Sequence, residues 1–513
     1  MTLDPETQAS KPTIVHDWSN RLFLLATGAI LFLTEYPFEF SSHGKPHRGI
    51  SPLMLGYGAK SGVLDVVLNT LLFVPFGFAV GSKLLRHKRW KSALLYSAIA
   101  GAVFSYLIEL SQLYIPQRDS GWEDVFTNTT GAVTGFLLFS LIGVWLIKRL
   151  SKSEEFVERW VTPRRLAVIL VAYFAVWCVV SGYLDREMRL EDWSGDCFLL
   201  VGSRAGNRRP WAGELSELQI WDYALPERDA ERITRGEGGR LVERPLVSFD
   251  FSQDPPRQGE AQLFIPFRPI SIAGAQGSGG EEDEFAGSSA KPVTELIERL
   301  KEANQFSIHA VVKPGEGAGS NGRIISLSEP SGFSELYLGQ SRESLLFWFR
   351  NPAFSRGSAL IWKTPKVLTA DGSSDVLFSY NGANVEFFMG GQRLQNHTLG
   401  PGTTFASRFR YPAQGELSAY RDLYYALVFF PAGALLGIAL SGTFLRRFSG
   451  WTIVVLVALD VVVAPAVLEW ILMRASRSPF SGANFGLSAG IVILGLCWAK
   501  ADGGRRVQRV SPG

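Results

Sequence analysis

LDVVLNTLLFVPFGFAVG (Leu64–Gly81) and, one apolar run later, IELSQLYIPQRDSGWEDVFTNTTGAVTGF (Ile108–Phe136) decide how this 513-residue chain is read. Both are apolar enough for a bilayer interior, yet both carry carboxylates and amides at helical spacing. A helix needs about 20 mostly apolar residues to cross a membrane. Working outward, about eight runs meet that need: Arg21 to Phe38, Val63 to Leu85, Ser92 to Tyr114, Val125 to Ile147, Leu166 to Leu184, Leu423 to Leu445, Thr452 to Met473 and Phe485 to Ala499. The first is expected to be a retained helix, because it follows about twenty polar residues and lacks a small-residue cleavage signal.

Charge placement sets an expected orientation. Net charge is only +3, so no strong polyanion partner is implied, and nucleic acid is not expected. The basic residues gather at Arg86 to Lys91, at Lys148 to Arg165, at Arg446 and Arg447, and in the tail from Lys500 to Arg509. With eight spans and both termini inside, all four groups are cytoplasmic, as the positive-inside rule requires. The 40–62 loop, with Lys45, Arg48 and Lys60, opposes the rule and is outvoted. The long stretch 185–422 then lies outside.

Polar residues in a membrane helix need a reason, since a charge at mid-bilayer costs about 2.5–3.5 kcal/mol. Asp65 and Asn69 share one face of the second span, and Glu109 and Gln112 share one of the third. Asp124 and Asn128 open the fourth, with Gly131 and Gly135 roughly continuing that face so that helices can approach closely. Arg118 lies in the loop between. All seven polar residues fall at one depth, the outer leaflet boundary. They read either as helix caps and interhelical glue or as a polar site, with Arg118 holding an anion and Glu109 or Asp124 accepting a proton. No serine–histidine pair or phosphate loop points to one chemistry. His43 and His47 read as loop residues rather than a metal pair.

These residues resemble the VanZ-like family of small membrane proteins over roughly residues 20–150. The resemblance rests on the Asp and Asn ahead of Phe-x-Pro-x-Gly, the Glu and Gln of the next helix, and the following Arg, Asp, Asn and two glycines. Asp65, Asn69, Pro75, Gly77, Glu109, Gln112, Arg118, Asp124, Asn128, Gly131 and Gly135 fit it. It implies an association with resistance to glycopeptide antibiotics such as teicoplanin, and it supplies no molecular activity. DLYYALVFFPAGALLG (Asp422–Gly437) and LEWILMRASRSPFSGANFGLSAG (Leu468–Gly490) echo the same pattern, with Pro431, Gly433 and Glu469 answering Pro75, Gly77 and Glu109. Arg477 and Asn484 are set against Arg118 and Asn128, Tyr425 stands at the Asn69 position, and no Asp answers Asp124. The expectation is a tandem duplication with a degenerate second copy.

The outer stretch alternates apolar and polar residues over Phe306 to Pro314, Arg323 to Ser328, Glu335 to Gln340, Leu345 to Arg350 and Val376 to Gly391, the pattern of an antiparallel sandwich. Tyr380-Asn381-Gly382 signals a hairpin. Val293 to Asn304 reads as a short amphipathic helix, and 271–290 as a Gly/Ser/acidic linker. These segments resemble the laminin-G-like, concanavalin A-like lectin sandwich. Its usual closing stretch, Trp211 to Leu225, here comes first, so the order looks circularly permuted. That family's glucanase carboxylate run is missing, which favours binding over hydrolysis. Trp221, Trp348 and Trp362 are candidates for stacking on sugar, or core. Cys178 and Cys497 sit in apolar runs, leaving Cys197 alone outside, so there is neither a disulfide framework nor a thiolate metal site.

The expected organisation is a VanZ-like four-helix domain at 1–160, the first helix of a second unit at 161–184, an extracytoplasmic sandwich at 185–420 and the remaining helices at 421–513. The expected partners are the lipid bilayer and an envelope glycan or lipid-linked precursor. No cofactor is expected, and nothing in the sequence supports Ca2+ in the sandwich. The leading function is binding or modifying an envelope component at the outer leaflet. The alternatives are a transferase or hydrolase acting on a lipid-linked glycan through Glu109 and Asp124, and a scaffold whose helices only anchor the sandwich.

Overall fold

The computed structural model describes residues 13–36, 40, 63–85, 88–115, 121–143, 145–146, 162–202, 211, 213–237, 244–253, 256–269, 287–314, 322–354, 360–368, 372–408, 414–440 and 448–500. The chain divides into two compact units. One comprises residues 1–171, 429–461 and 490–513, and the other 172–428 and 462–489. The helices are α1 (Thr13–Glu35), α2 (Val63–Leu84), α3 (Trp90–Gln112), α4 (Trp122–Leu138), α5 (Pro163–Arg186), α6 (Glu227–Ile233), α7 (Thr294–Ala303), α8 (Pro401–Ser407), α9 (Leu417–Ala439), α10 (Gly450–Ala458), α11 (Ala464–Ser476) and α12 (Gly482–Lys500). A π-helical turn extends α4 over Phe139–Gly143, and another, Leu459–Val463, joins α10 to α11.

Among the described residues, seven of the eight expected spans are helices long and apolar enough to cross a membrane. The expected first span does form a helix, α1, but Asn20 and Arg21 near one end and Glu35 at the other shorten its apolar stretch. Lipid-compatible side chains such as Val168, Val171 and Val179 stand 67%, 63% and 72% exposed on α5, as expected of a membrane-embedded surface.

The first unit is held by close helix contact. Phe73, Phe76, Ile108 and Ala132 are buried together with Ala26 and Ile30 of α1, and the Phe76 ring stacks on Phe104 at 5.1 Å. Apolar side chains gain little by leaving lipid for protein, so backbone proximity and dispersion carry the packing. The glycines permit it: a Cβ on Gly77 would strike the Ala132 carbonyl, one on Gly131 the Thr70 carbonyl, and one on Gly135 the Val74 carbonyl. α1 is tied to α12 where Arg21 Nη2 donates to Ala499 O at 2.9 Å and Trp498 Nε1 donates to Arg21 O at 2.9 Å.

The second unit contains fourteen strands: β1 (Phe198–Val201), β2 (Glu214–Trp221), β3 (Val247–Asp250), β4 (Arg257–Gln258), β5 (Phe267–Pro269), β6 (Gly287–Ser289), β7 (Phe306–Lys313), β8 (Gly322–Ser328), β9 (Ser334–Ser341), β10 (Ser344–Phe349), β11 (Trp362–Thr364), β12 (Ser374–Tyr380), β13 (Asn384–Met389) and β14 (Gln392–Thr398). They form two seven-stranded antiparallel sheets, ordered β11-β10-β9-β8-β1-β6-β5 and β14-β13-β12-β7-β2-β3-β4. β7 to β10, β12, β13 and the amphipathic helix fall where the alternation placed them, while the long strands β2 and β14 lie outside the alternating segments. Leu296, Ile297 and Leu300 of α7 pack into the same core as Phe306, Phe347, Phe378 and Phe387. The Asn381-Gly382 hairpin forms, with Gly382 at φ 88° and the Asn381 carboxamide accepting from the Ala383 and Asn384 amides. The end of the expected 271–290 linker is instead strand: Gly287–Ser289 pairs with both β1 and β5, because Gly287 leaves room for the Phe267 ring. Residues 271–286 lie outside the described residues.

Asn304 fastens this unit together. It caps α7 in the left-handed conformation (φ 54°), accepts from the Leu190 amide at 3.0 Å and donates to the Ser476 carbonyl at the end of α11. It is 1% exposed. Asn304→Ala removes both bonds and leaves buried groups unpaired, each worth about 1–3 kcal/mol. The expected result is a clear fall in melting temperature, with Asn304→Gly milder because glycine accepts this φ. Equal stability of the alanine variant and the wild type would refute this role.

Candidate functional site

The site starts from helix ends. The C-terminal end of α3 and the N-terminal ends of α2 and α4 carry the expected polar residues, and the first unit brings most of them together. Asn69 Nδ2 donates to Asp124 Oδ1 at 2.7 Å, linking α2 to α4. Glu109 Oε2 accepts from the Gly121 amide, the N-cap of α4, at 2.8 Å. A carboxylate there also meets the positive end of the α4 dipole. Glu109 is 2% exposed and lies within electrostatic reach of both Asp124 and Glu35. Asn128 Nδ2 donates to Ser105 Oγ at 2.9 Å, linking α4 to α3, and Gln112 Nε2 donates to the Thr34 carbonyl of α1 at 2.9 Å.

Two of the expected residues are not placed this way. Arg118 lies outside the described residues. Asp65 belongs to α2, one turn before Asn69, and its side chain also lies outside them. Sequence reasoning missed Glu35, Ser105 and Ser111. Ser111 Oγ donates to Glu35 Oε1 at 2.7 Å, so α1 contributes a third carboxyl group, buried like that of Glu109. A polar residue in the last turn of an otherwise apolar helix was the available signal for Glu35. Ser105 lies one turn before Glu109 on the same face of α3.

The arrangement is a mixed donor–acceptor cluster, buried at Glu109, Gln112 and Asn128 and half-buried at Asn69 and Asp124. Asn128 is 3% exposed, and its Oδ1 has no donor among the described residues. Buried carbonyl oxygens are ordinarily paired, so this acceptor can take a hydroxyl or an N–H from a bound group.

A related pattern recurs in the C-terminal helices. Gly77 meets Ala132, Gly81 meets Phe136, and Gly135 meets Val74 and Phe78. Gly433 meets Val492, Gly437 meets Leu496, and Gly495 meets Phe430 and Ala434. The spacings within each helix of the two sets are the same. In this register Asn484 stands opposite Asp124, one turn earlier than the expected match with Asn128. Tyr425 Oη donates to Glu469 Oε1 at 2.6 Å, and Asn484 also hydrogen-bonds Glu469. Asp185, at the end of α5, bonds Ser476 and lies within electrostatic reach of Glu469.

In the sandwich, Trp221 and Trp362 are 0% and 2% exposed and belong to the core, so neither is open to sugar. Trp348 is half-buried and stacks on Tyr337 with ring centroids 5.4 Å apart. Burial, followed by the nearby Glu335 charge, pushes the Cys197 thiol up to about 12, so it is unreactive at neutral pH.

No curated protein and no solved structure matches the chain. The family comparison falls on the α1–α4 unit that carries the polar cluster: residues 16–143 match the VanZ/LLP1 family model.

Proposed function

We propose that the α1–α4 cluster binds a polar group of an envelope component at the outer face of the cytoplasmic membrane, and that the sandwich is an outer module that binds glycan or protein. The observation that carries this is the gathering of half-buried Asn69 and Asp124 with buried Glu109 and Asn128 at one end of the α1–α4 unit, with an unpaired acceptor on Asn128. A set of helix caps would satisfy its own groups and leave nothing over. The basic loops support cytoplasmic termini and an outer sandwich. The recurrent glycine contacts support a duplicated four-helix unit whose second copy keeps a carboxylate at Glu469 but holds Tyr425 and Asn484 in place of Asn69 and Asp124.

In this reading the cluster presents carboxylates and amides to hydroxyl or ammonium groups, the surface offered by an amino sugar or a peptide amine. The family resemblance ties the unit to glycopeptide resistance, so the test is the teicoplanin susceptibility of cells expressing the protein. Wild type is expected to lower susceptibility, and Asn69→Ala and Asp124→Asn, at equal membrane levels, to abolish the protection. Full protection by both variants would overturn the site and leave the helices as an anchor.

A further inference from the structure

We infer that the sandwich carries an anionic-saccharide site in the groove between the β9–β10 turn and the segment that follows β11. This rests on the reading of the sandwich as a glycan-binding module and names the class of glycan. The groove has a volume of about 700 Å³, and Ser341, Arg342, Glu343, Ser344, Lys363 and Lys366 line it together with Pro365. Three cations thus face one carboxylate. Arg342, Glu343, Lys363 and Lys366 are all exposed, and the three cations form no ion pair among the described residues. Lys363 stands opposite Leu346 on β10, on the sheet face turned away from the core, so the strand register fixes its direction.

The backbone provides a separate argument. Arg342 has φ 54° and Lys366 φ 58°. Arg342 is the first residue of the two-residue turn between Ser341 and Ser344, a position where glycine is favoured when φ is positive. A long cation there costs stability that glycine would recover. Two such residues, both cations, line the same groove, and folding alone gives no reason for either. The turn is held rigidly, since Gln340 Nε2 donates to the Arg342 carbonyl at 2.8 Å and the Val367 and Leu368 amides donate to the Glu343 carbonyl, each at 3.0 Å. The backbone positions from which Arg342 and Lys366 project are therefore set before any ligand arrives. Carboxylate, phosphate or sulfate groups on a sugar chain meet them, while sugar hydroxyls meet Ser341 and Ser344.

The test uses the full chain in lipid nanodiscs, with polygalacturonate as the anionic probe and dextran as the neutral one. Wild type is expected to bind polygalacturonate, with affinity falling as salt rises, and to bind dextran at least tenfold more weakly. Arg342→Gly with Lys366→Gly should weaken polygalacturonate binding at least tenfold while the melting temperature holds or rises. Glu343→Lys should tighten binding, a gain that misfolding cannot imitate. Unchanged binding in the double variant, or equal binding of the two polymers, would overturn the anionic site while leaving glycan binding in place. Binding of neither polymer would overturn both this site and the glycan reading of the sandwich.

Discussion

Gly135→Leu is expected to abolish folding of the α1–α4 unit. Its Cβ would fall on the Val74 carbonyl and the Phe78 amide of α2, and main chain cannot rotate aside as a side chain can. Overpacking a well-packed core costs about 1–3 kcal/mol and occasionally more. Here the added group forces α2 and α4 apart along their whole contact, so the upper end or beyond is expected. Separation would also break the Asn69–Asp124 bond between the same helices. The measurement is the monodisperse fraction recovered in detergent. Gly28→Leu is the control, because nothing lies within 4 Å of its Cβ position. The C-terminal helices give a matched pair: Gly495→Leu should fail, since its Cβ meets Phe430 O at 2.7 Å, and Gly490→Leu should not. Normal recovery of Gly135→Leu would show that close glycine contact does not hold these helices.

Glu335→Ala should destabilise the sandwich almost as severely. Glu335 is 1% exposed and receives Arg350 in bidentate fashion, with Nε to Oε2 at 2.5 Å and Nη2 to Oε1 at 2.9 Å. It also accepts from the Ser194 amide at 2.9 Å. Arg350 further donates to the Asp192 carbonyl, and Trp193 Nε1 donates to the Arg350 carbonyl at 2.7 Å. One pair therefore fixes the chain between α5 and β1 onto β9 and β10. Removing one partner of a buried pair leaves the other charge uncompensated, at about 3–5 kcal/mol. Replacing both with apolar residues of similar volume should restore much of that loss. Chemical denaturation followed by tryptophan fluorescence checks both variants. A single variant no less stable than the paired replacement would contradict this role.

The parts of the fold written in local pattern were legible in the sequence. Apolar length revealed the membrane helices, and alternation revealed β7 to β10, β12 and β13. Short strands such as β4, β5, β6 and β11 carry two or three residues each, too few to show a period. They exist because longer neighbours offer them an edge. The span expected at Arg21 to Phe38 forms the helix α1, whose apolar run lies between Asn20-Arg21 and Glu35.

The candidate site was legible in the same uneven way. Asn69, Glu109, Gln112, Asp124 and Asn128 stood out because polar residues are costly in lipid. Their pairings were not visible, since Asn69 could have turned to any neighbouring helix. Glu35 was missed because a carboxyl group at a helix end looks solvated until Ser111 is seen beside it. Trp221 and Trp362 show the converse: an aromatic in a strand reads equally as core or as platform until its face is known.

The central claim is that Glu109 and its neighbours form a binding site rather than interhelical glue. The most direct measurement is Glu109→Gln, scored for both melting temperature in detergent and protection against teicoplanin in cells. The glutamine carbonyl can still accept the Gly121 amide, so the fold keeps that bond while the site loses its carboxyl group. The binding-site account predicts an unchanged melt with protection lost. Protection retained at an unchanged melt would contradict it, and so would protection lost only in step with stability.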